Sequence, residues 1–471
     1  MSVHLQVSLI LFDQTQILHE YHPQAQRLST TELISPDYEY RQTYSYITSL
    51  VRNTIVTFPH DQHLVGASMT FDYDDNFRLI SSSVVLSNNL TLNYNMTFDK
   101  RTGTLKQLKN LQVRWVTPDN QTFSDGFVRI TREYDGYRRL ADVKIHFDNS
   151  IRFMLQINYD QTGHVHQWRR RIGQTDSQAI EYIYDIDSHL TDVLVEGQTV
   201  WTYAYDPNGN IKKITENGKT RHMDFDVGDK ITMFGELAYK YDDDGLTAQR
   251  GMDHVAFNSL GQLTTVSRAG GMVKFTFQYS VDGRLTVQRD QWGRIMQYFY
   301  GNPQDPTLVT HTYNHTTGEA SVFLYDMSGT LIAMQRSGKT YYIATDPNHT
   351  PLVVFDDRGY VVKQCSYTPL GLRILDSNPN FDLPFGFQGA IYNDLVQLSF
   401  LGHRVYDAHL GRFLAPDYTQ AFEKLKVVVE DPEVLNLYQY RSVVNLHLSD
   451  LQRPRMGKLA STRAVLINIY G

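Results

Sequence analysis

The stretch "YAYDPNGNIKKI" (Tyr203–Ile214) decides how this chain is read. An aromatic alternation stops at Tyr205-Asp206, turn-forming residues follow, and an apolar alternation resumes at Ile211. Pro207 presets the turn backbone, and Asn208-Gly209 is a strong hairpin signal. Gly209 supplies the positive φ that closes a tight turn. The Asp206 carboxylate can accept backbone N–H groups two residues on. The flanking residues alternate with period two, as strands with one face turned inward do. These residues therefore predict a β-hairpin.

The same pattern recurs down the chain. It is present in "MTFDKRTGTLKQL" (Met96–Leu108), "REYDGYRRLADV" (Arg132–Val143), "INYDQTGHVHQW" (Ile157–Trp168) and "YIYDIDSHLTDV" (Tyr182–Val193). It returns in "MDFDVGDKITMF" (Met223–Phe234) and "YKYDDDGLTAQR" (Tyr239–Arg250). Looser copies are "VAFNSLGQLTTV", "FQYSVDGRLTVQ", "FLYDMSGTLIAM" and "VVFDDRGYVVKQ". The unit is Tyr/Phe-Asp-x-x-Gly-x-Leu/Ile/Val at a spacing of roughly 16–30 residues, near the range of strand-built repeats. A string of hairpins with a common inner face must close or coil to hide its edges. The expected fold is all-β, its hairpins wound into a large spiralling shell or barrel. One short helix is expected in "PDYTQAFEKLKVVVEDP" (Pro416–Pro432), near the C-terminal end.

Composition agrees. The 31 Tyr and 23 Phe suit pleated, half-buried surfaces. Charged residues make up 20%, against a usual ~25%, which argues against a disordered chain. A net charge of −7 offers no overall basic field for nucleic acid. "WRRR" (Trp168–Arg171) is a local basic spot, read first as a solvated strand end and second as a partner contact. The single cysteine, Cys365, excludes an internal disulfide framework and reads as a buried strand residue.

The N-terminal "MSVHLQVSLILFDQ" lacks the basic and long apolar regions of a signal peptide and reads as a strand. No run of ~18 apolar residues suggests a membrane span. Asn-x-Ser/Thr acceptors for N-glycosylation occur at Asn89, Asn95, Asn120, Asn314 and Asn348. Together they point to a secretory-route protein, and the missing signal to a piece of a longer one or to an anchor not included in this sequence.

Near the end stands "GHRVYDAHLGRFLAPDY" (Gly402–Tyr418). Asp407 and Asp417 could form an acid/base pair, Arg404 and Arg412 could hold an anion, and His403 and His409 could move protons. Beside the repeat, Tyr406-Asp407 reads as another turn and Gly411 as another turn glycine. Arg404 and Arg412 then hold turns by charge-assisted bonds, and Pro416-Asp417 ends the strand.

This unit resembles the YD repeat shared by teneurins and bacterial Rhs and Tc toxin subunits. The closing stretch resembles the Rhs-associated core at Gly402, Arg404, Tyr406, Asp407, Gly411, Arg412, Phe413, Pro416 and Asp417. The preceding Asp376-Ser377-Asn378-Pro379-x-Phe381 segment and the Gly386-Phe387-x-Gly389 turn resemble teneurins in particular, as do "TDPNHTPLVVFDDRG" and "FYGNPQDP". The resemblance covers nearly all of residues 1–450. It implies a YD-repeat shell over residues 1–385, an Rhs-associated core over 386–450 that closes it, and a divergent tail over 451–471, disordered or mispredicted. Ser442-Val443-Val444 stands where the family has Asn-Asn-Pro, which is expected of a truncated gene model or, second, a short isoform.

By resemblance the chain is an extracellular fragment of a single-pass adhesion and signalling glycoprotein that also carries EGF-like modules. Such proteins act in cell–cell recognition, notably in nervous-system development. The implied partners are other cell-surface proteins, through homophilic contacts and latrophilin-type receptors. No nucleic acid, cofactor, metal or catalytic residue is expected, and no membrane segment lies in this chain. The alternative is a toxin-encapsulating shell that cuts itself with an aspartate pair sharing a proton. Against it, Asp431-Pro432 is followed by Glu433-Val434, and Asp450 by Leu451, without the Asp-Pro-x-Gly motif. "GHVHQW" offers only two histidines, His164 and His166, for a metal. "YDDDGL" reads as an acidic turn before a calcium loop.

Overall fold

A computed structural model describes residues 5–22, 25–115, 120–175, 177–268, 274–417, 436–440 and 467–470. From Leu5–Ile10 to Arg373–Asp376, every strand pairs antiparallel with its neighbour in the chain. A separate small sheet follows, from Ile391–Asn393 to Arg412–Phe413. The structure is the expected all-β shell. Among the described residues the only helical element is one 3-10 turn, Phe387–Gly389. The helix expected over 416–432 lies almost wholly outside the described residues. Of the tail beyond 450, only Ile467–Tyr470 is described, paired with Leu5–Ile10.

The turn at Asp206 shows why the repeat has its residue types. Asp206 Oδ1 accepts the amides of Asn208 and Asn210, each at 2.9 Å. Gly209 donates to the Asp206 carbonyl at 3.0 Å and takes φ 75°. Asn208 stays out of the left-handed region, so this is not the two-residue hairpin that Asn-Gly suggests. It is a wider turn whose glycine makes a bulge, and the register shifts between Ala204 and Tyr205. The carboxylate binds the amides two and four residues on in the copies at Asp74, Asp135, Asp160, Asp185, Asp226, Asp242, Asp290, Asp326, Asp346 and Asp356.

Successive copies are tied by a ladder. The Tyr205 hydroxyl donates to the Leu190 carbonyl of the preceding copy at 2.8 Å. Tyr159 reaches Leu140, Tyr184 reaches Val165, Tyr279 reaches Leu263 and Tyr325 reaches Val309 in the same way. In the copies at Asp74, Asp135, Asp160 and Asp185, the residue four after the Asp sits between that carboxylate and the next aromatic. Arg139 pairs with Asp135 and lies over Tyr159, while His189 faces Asp185 and stacks on Tyr205 at 4.5 Å. Tyr325→Phe removes one rung at a buried site and leaves the Val309 carbonyl without that donor. A loss of about 1–3 kcal/mol in urea unfolding is the expected result.

The ribbon rolls over itself. Hydrogen bonds between its outer and inner windings join residues 217 to 246 apart in sequence. Examples are Ser82 Oγ to the Gly301 carbonyl at 2.7 Å and the Val65 amide to Gln297 Oε1 at 2.9 Å. Strands of the outer winding bury one face, as Val128–Tyr134 does. The central strands of the inner winding, such as Glu319–Tyr325 and Pro351–Phe355, bury both. In Glu319–Tyr325, Val322 and Leu324 join a core with outer-winding residues such as Ile145 and Phe153. Phe323 and Tyr325 point the other way, into a core with Phe385, Leu398 and Phe400. The expectation of a single inward face therefore fails for these central strands, because they lie between the outer winding and the segment that follows Asp376.

Candidate functional site

The closing segment seats on hairpins laid down about 160–230 residues earlier. Asp407 is fully buried. Its Oδ2 lies 2.5 Å from Arg250 Nε, and its Oδ1 3.2 Å from the second Arg250 terminal nitrogen. Arg250 also binds Asp253 at 3.0 Å, which in turn takes Arg268 at 3.1 Å. Burial alone would push the Asp407 carboxyl up, but the Arg250 guanidinium outweighs it and holds the group below its ordinary range. This is a fixed anion, unlike the shared-proton carboxyl pair of an acid/base site.

Arg412 is buried and donates to the Asp229 carbonyl at 2.5 Å and to Asn210 at 3.4 Å. It also lies over the rings of Phe225 and Tyr438. Arg404 stacks on Phe413 at 3.6 Å and reaches the Leu437 carbonyl and the Asp417 carboxylate. Both arginines thus bind carbonyl or carboxylate oxygens, as read from sequence. The turn differs slightly from the repeat. Gly411, at φ 69°, lies four residues after Asp407 instead of three, giving a wider loop. A Cβ there would meet Ile211 and Leu370 at 3.2 Å. Gly402 takes φ 60° at a strand connection. Pro416 and Asp417 end the described part of the segment, and the Asp417 amide binds the Leu437 carbonyl at 2.9 Å.

Tyr406, fully buried, packs with Phe387, Phe413 and Tyr440, and its hydroxyl donates to the Leu370 carbonyl at 2.8 Å. Thr247 Oγ1 donates to the Leu414 carbonyl and Tyr438 to the Gly245 carbonyl, so both ends of the segment grip one hairpin. Sequence reasoning missed Arg250. Its one signal was a charged residue at the end of a short strand pattern, "LTAQR", where alternation calls for an inward side chain.

The other sequence candidates scatter. Asn89 and Asn95 are exposed. Asn120 and Asn314 are half-buried and bind backbone amides through Oδ1, and Asn314 also donates to Asp382. Asn348 is half-buried in the Asp346 turn. His164 stacks on Tyr184 while His166 is exposed, so the two do not converge. Asp242 binds the amides of Asp244 and Leu246, the acidic turn that was expected. Among the described residues, the group that could hold a metal by geometry is instead Asp185, Asp187 and His189, whose ligand atoms lie within 4.8 Å of one another. Asp185 and His189 there already serve the ladder. Asp431 and Asp450 lie outside the described residues. Among the described residues, no helix is long and apolar enough to cross a membrane.

Comparison with known proteins fixes the family, because the Teneurin YD-shell family model matches residues 4–445. The chain belongs to the teneurin family. Teneurin-3 of Danio rerio is 34% identical over 444 residues, covering 93% of this chain and 16% of that relative. Teneurin-4 of Homo sapiens is 31% identical, covering 87% of this chain and 15% of the relative. This teneurin chain therefore spans about a sixth of the length of those relatives. Among solved structures, the Photorhabdus luminescens Tc holotoxin pore superposes with a TM-score of 0.70 at 14% identity, over 99% of this chain and 28% of its own. The TcdB2-TccC3 crystal structure gives 0.64 at 15% identity, over 93% of this chain and 27% of its own. At that identity the likeness is one of fold, and it places the teneurin YD repeats on the same kind of shell.

Proposed function

We propose that this teneurin YD shell is a non-catalytic scaffold in the extracellular part of a cell-surface adhesion and signalling protein. It acts in cell–cell recognition, notably in nervous-system development, through homophilic contacts and latrophilin-type receptors. The observation that carries this reading is the family match over residues 4–445. The Asp407–Arg250 pair supports the non-catalytic part, since a carboxylate held ionised by a buried arginine cannot share a proton. The exposed sequons at Asn89 and Asn95 support an extracellular, glycosylated setting.

Cells that display the shell on a membrane anchor are expected to cluster with one another or with cells displaying a latrophilin-type receptor. Secreted material should lose mass on glycosidase treatment, and less so in an N89Q/N95Q variant. Absence of both kinds of clustering would count against adhesion. Self-cleavage abolished by Asp417→Asn or Asp450→Asn would replace it with the toxin-shell reading.

A further inference from the structure

The outer winding carries a basic field on its solvent face, and it extends well beyond the "WRRR" spot. Register places Lys144 opposite Met154, Met154 opposite Arg171 and Gln156 opposite Arg169 across three strands. Arg129 lies one strand further, two residues from the partner of Lys144, and Arg152 sits at the bulge beside Met154. Directly opposite residues have Cβ atoms about 4.5–5.5 Å apart, so these side chains form one continuous patch. The alternate residues on the same strands, such as Ile130, Ile145 and Leu155, face the core. Arg170 also turns inward and binds Gln178 at 2.8 Å.

Glu133, Asp142 and Glu181 stand on the same face, and the basic groups outnumber them. Lys144 is paired with Asp142 at 2.9 Å. Among the described residues, Arg129, Arg152, Arg169 and Arg171 make no ion pair. Arg129 and Arg169 are exposed. The Nε atoms of Arg152 and Arg171 are shielded yet bind no protein acceptor. Four unpaired guanidinium groups on one face of a chain with net charge −7 are a local departure from its own average.

We infer that this face binds an extended acidic peptide segment whose carboxylates stand at every second residue. The planar guanidinium fork matches a carboxylate bidentately. Arg169 and Arg171 stand two apart on one strand, about 6.6 Å along it. An extended peptide repeats its same-side residues at the same interval, so successive carboxylates meet successive arginines. The inference goes beyond the adhesive reading and does not depend on it, because it concerns only this sheet face.

The test uses the full chain and two synthetic 12-residue peptides of equal charge, one alternating Glu-Thr and one with the glutamates in blocks. Fluorescence anisotropy is expected to show tighter binding of the alternating peptide. Arg169→Gln with Arg171→Gln should weaken that binding roughly tenfold or more, while Lys240→Gln, an exposed position on the later strand Leu237–Tyr241, should leave it unchanged. Both patch positions accept polar substitution at the surface, and circular dichroism checks that the fold is kept. Equal affinity for the two peptides would overturn the assignment, as would unchanged binding by the double variant. Tighter binding of a sulfated oligosaccharide of equal charge would also overturn it and make the face a polysaccharide surface.

Discussion

Arg250→Met should destabilise the shell by about 3–5 kcal/mol, because it strands a carboxylate that has no route to water. Asp407 is 0% exposed, and without Arg250 its remaining donor is the His409 amide at 2.9 Å. Asp253 also loses a partner but keeps Arg268. A buried ion pair is weak evidence for net stability, since removing both charges is often harmless. Arg250→Met with Asp407→Leu should therefore recover most of the loss. The midpoint of urea unfolding reads both variants. A single-variant loss below ~1 kcal/mol would show that the closing segment is not held by this pair. The pH dependence has a definite sign. The folded-state pKa of Asp407 lies below its ordinary value, so its contribution is present at neutral pH and is lost as pH falls through the folded value. The wild type should lose stability on acidification more steeply than the double variant.

The turn chemistry was legible in sequence because it is local. Asp206, Gly209 and the aromatic before them each do a job within a few residues, and a period of such groups gives hairpins. The hairpin at Asn208-Gly209 formed as read, and only the width of its loop was left open. Asn208-Gly209 suggests a two-residue loop, but Asp206 binds the amide four residues on and widens it. The tyrosine ladder left only a preference for Tyr over Phe as its trace, and its partner carbonyls belong to other copies. The closing stretch was legible as turns, with Arg404 and Arg412 as their holders, whereas the partner of Asp407 was not. Arg250 lies 157 residues away, and nothing local to either residue couples them.

The rolled architecture makes a sharper claim, because neighbouring residues on one strand should behave alike at the centre of the inner winding and differently in the outer. Phe323 and Leu324 face opposite ways, and both are fully buried. Phe323→Ala should cost about 3–5 kcal/mol and Leu324→Ala about 2–5 kcal/mol. In the outer winding, Ile130 is buried and Arg129 exposed. Ile130→Ala should cost about 2–5 kcal/mol, while Arg129→Ala should stay within ~0.5 kcal/mol of wild type. The contrast was written in the sequence as continuous apolar runs, "SVFLY" and "PLVVF", against the alternating "VRITREY". A strand apolar on both faces needs two partners. A hairpin string of one kind throughout would give only one. If Phe323→Ala and Leu324→Ala differ as widely as Ile130→Ala and Arg129→Ala, the inner winding has a solvent face and the ribbon does not roll over itself.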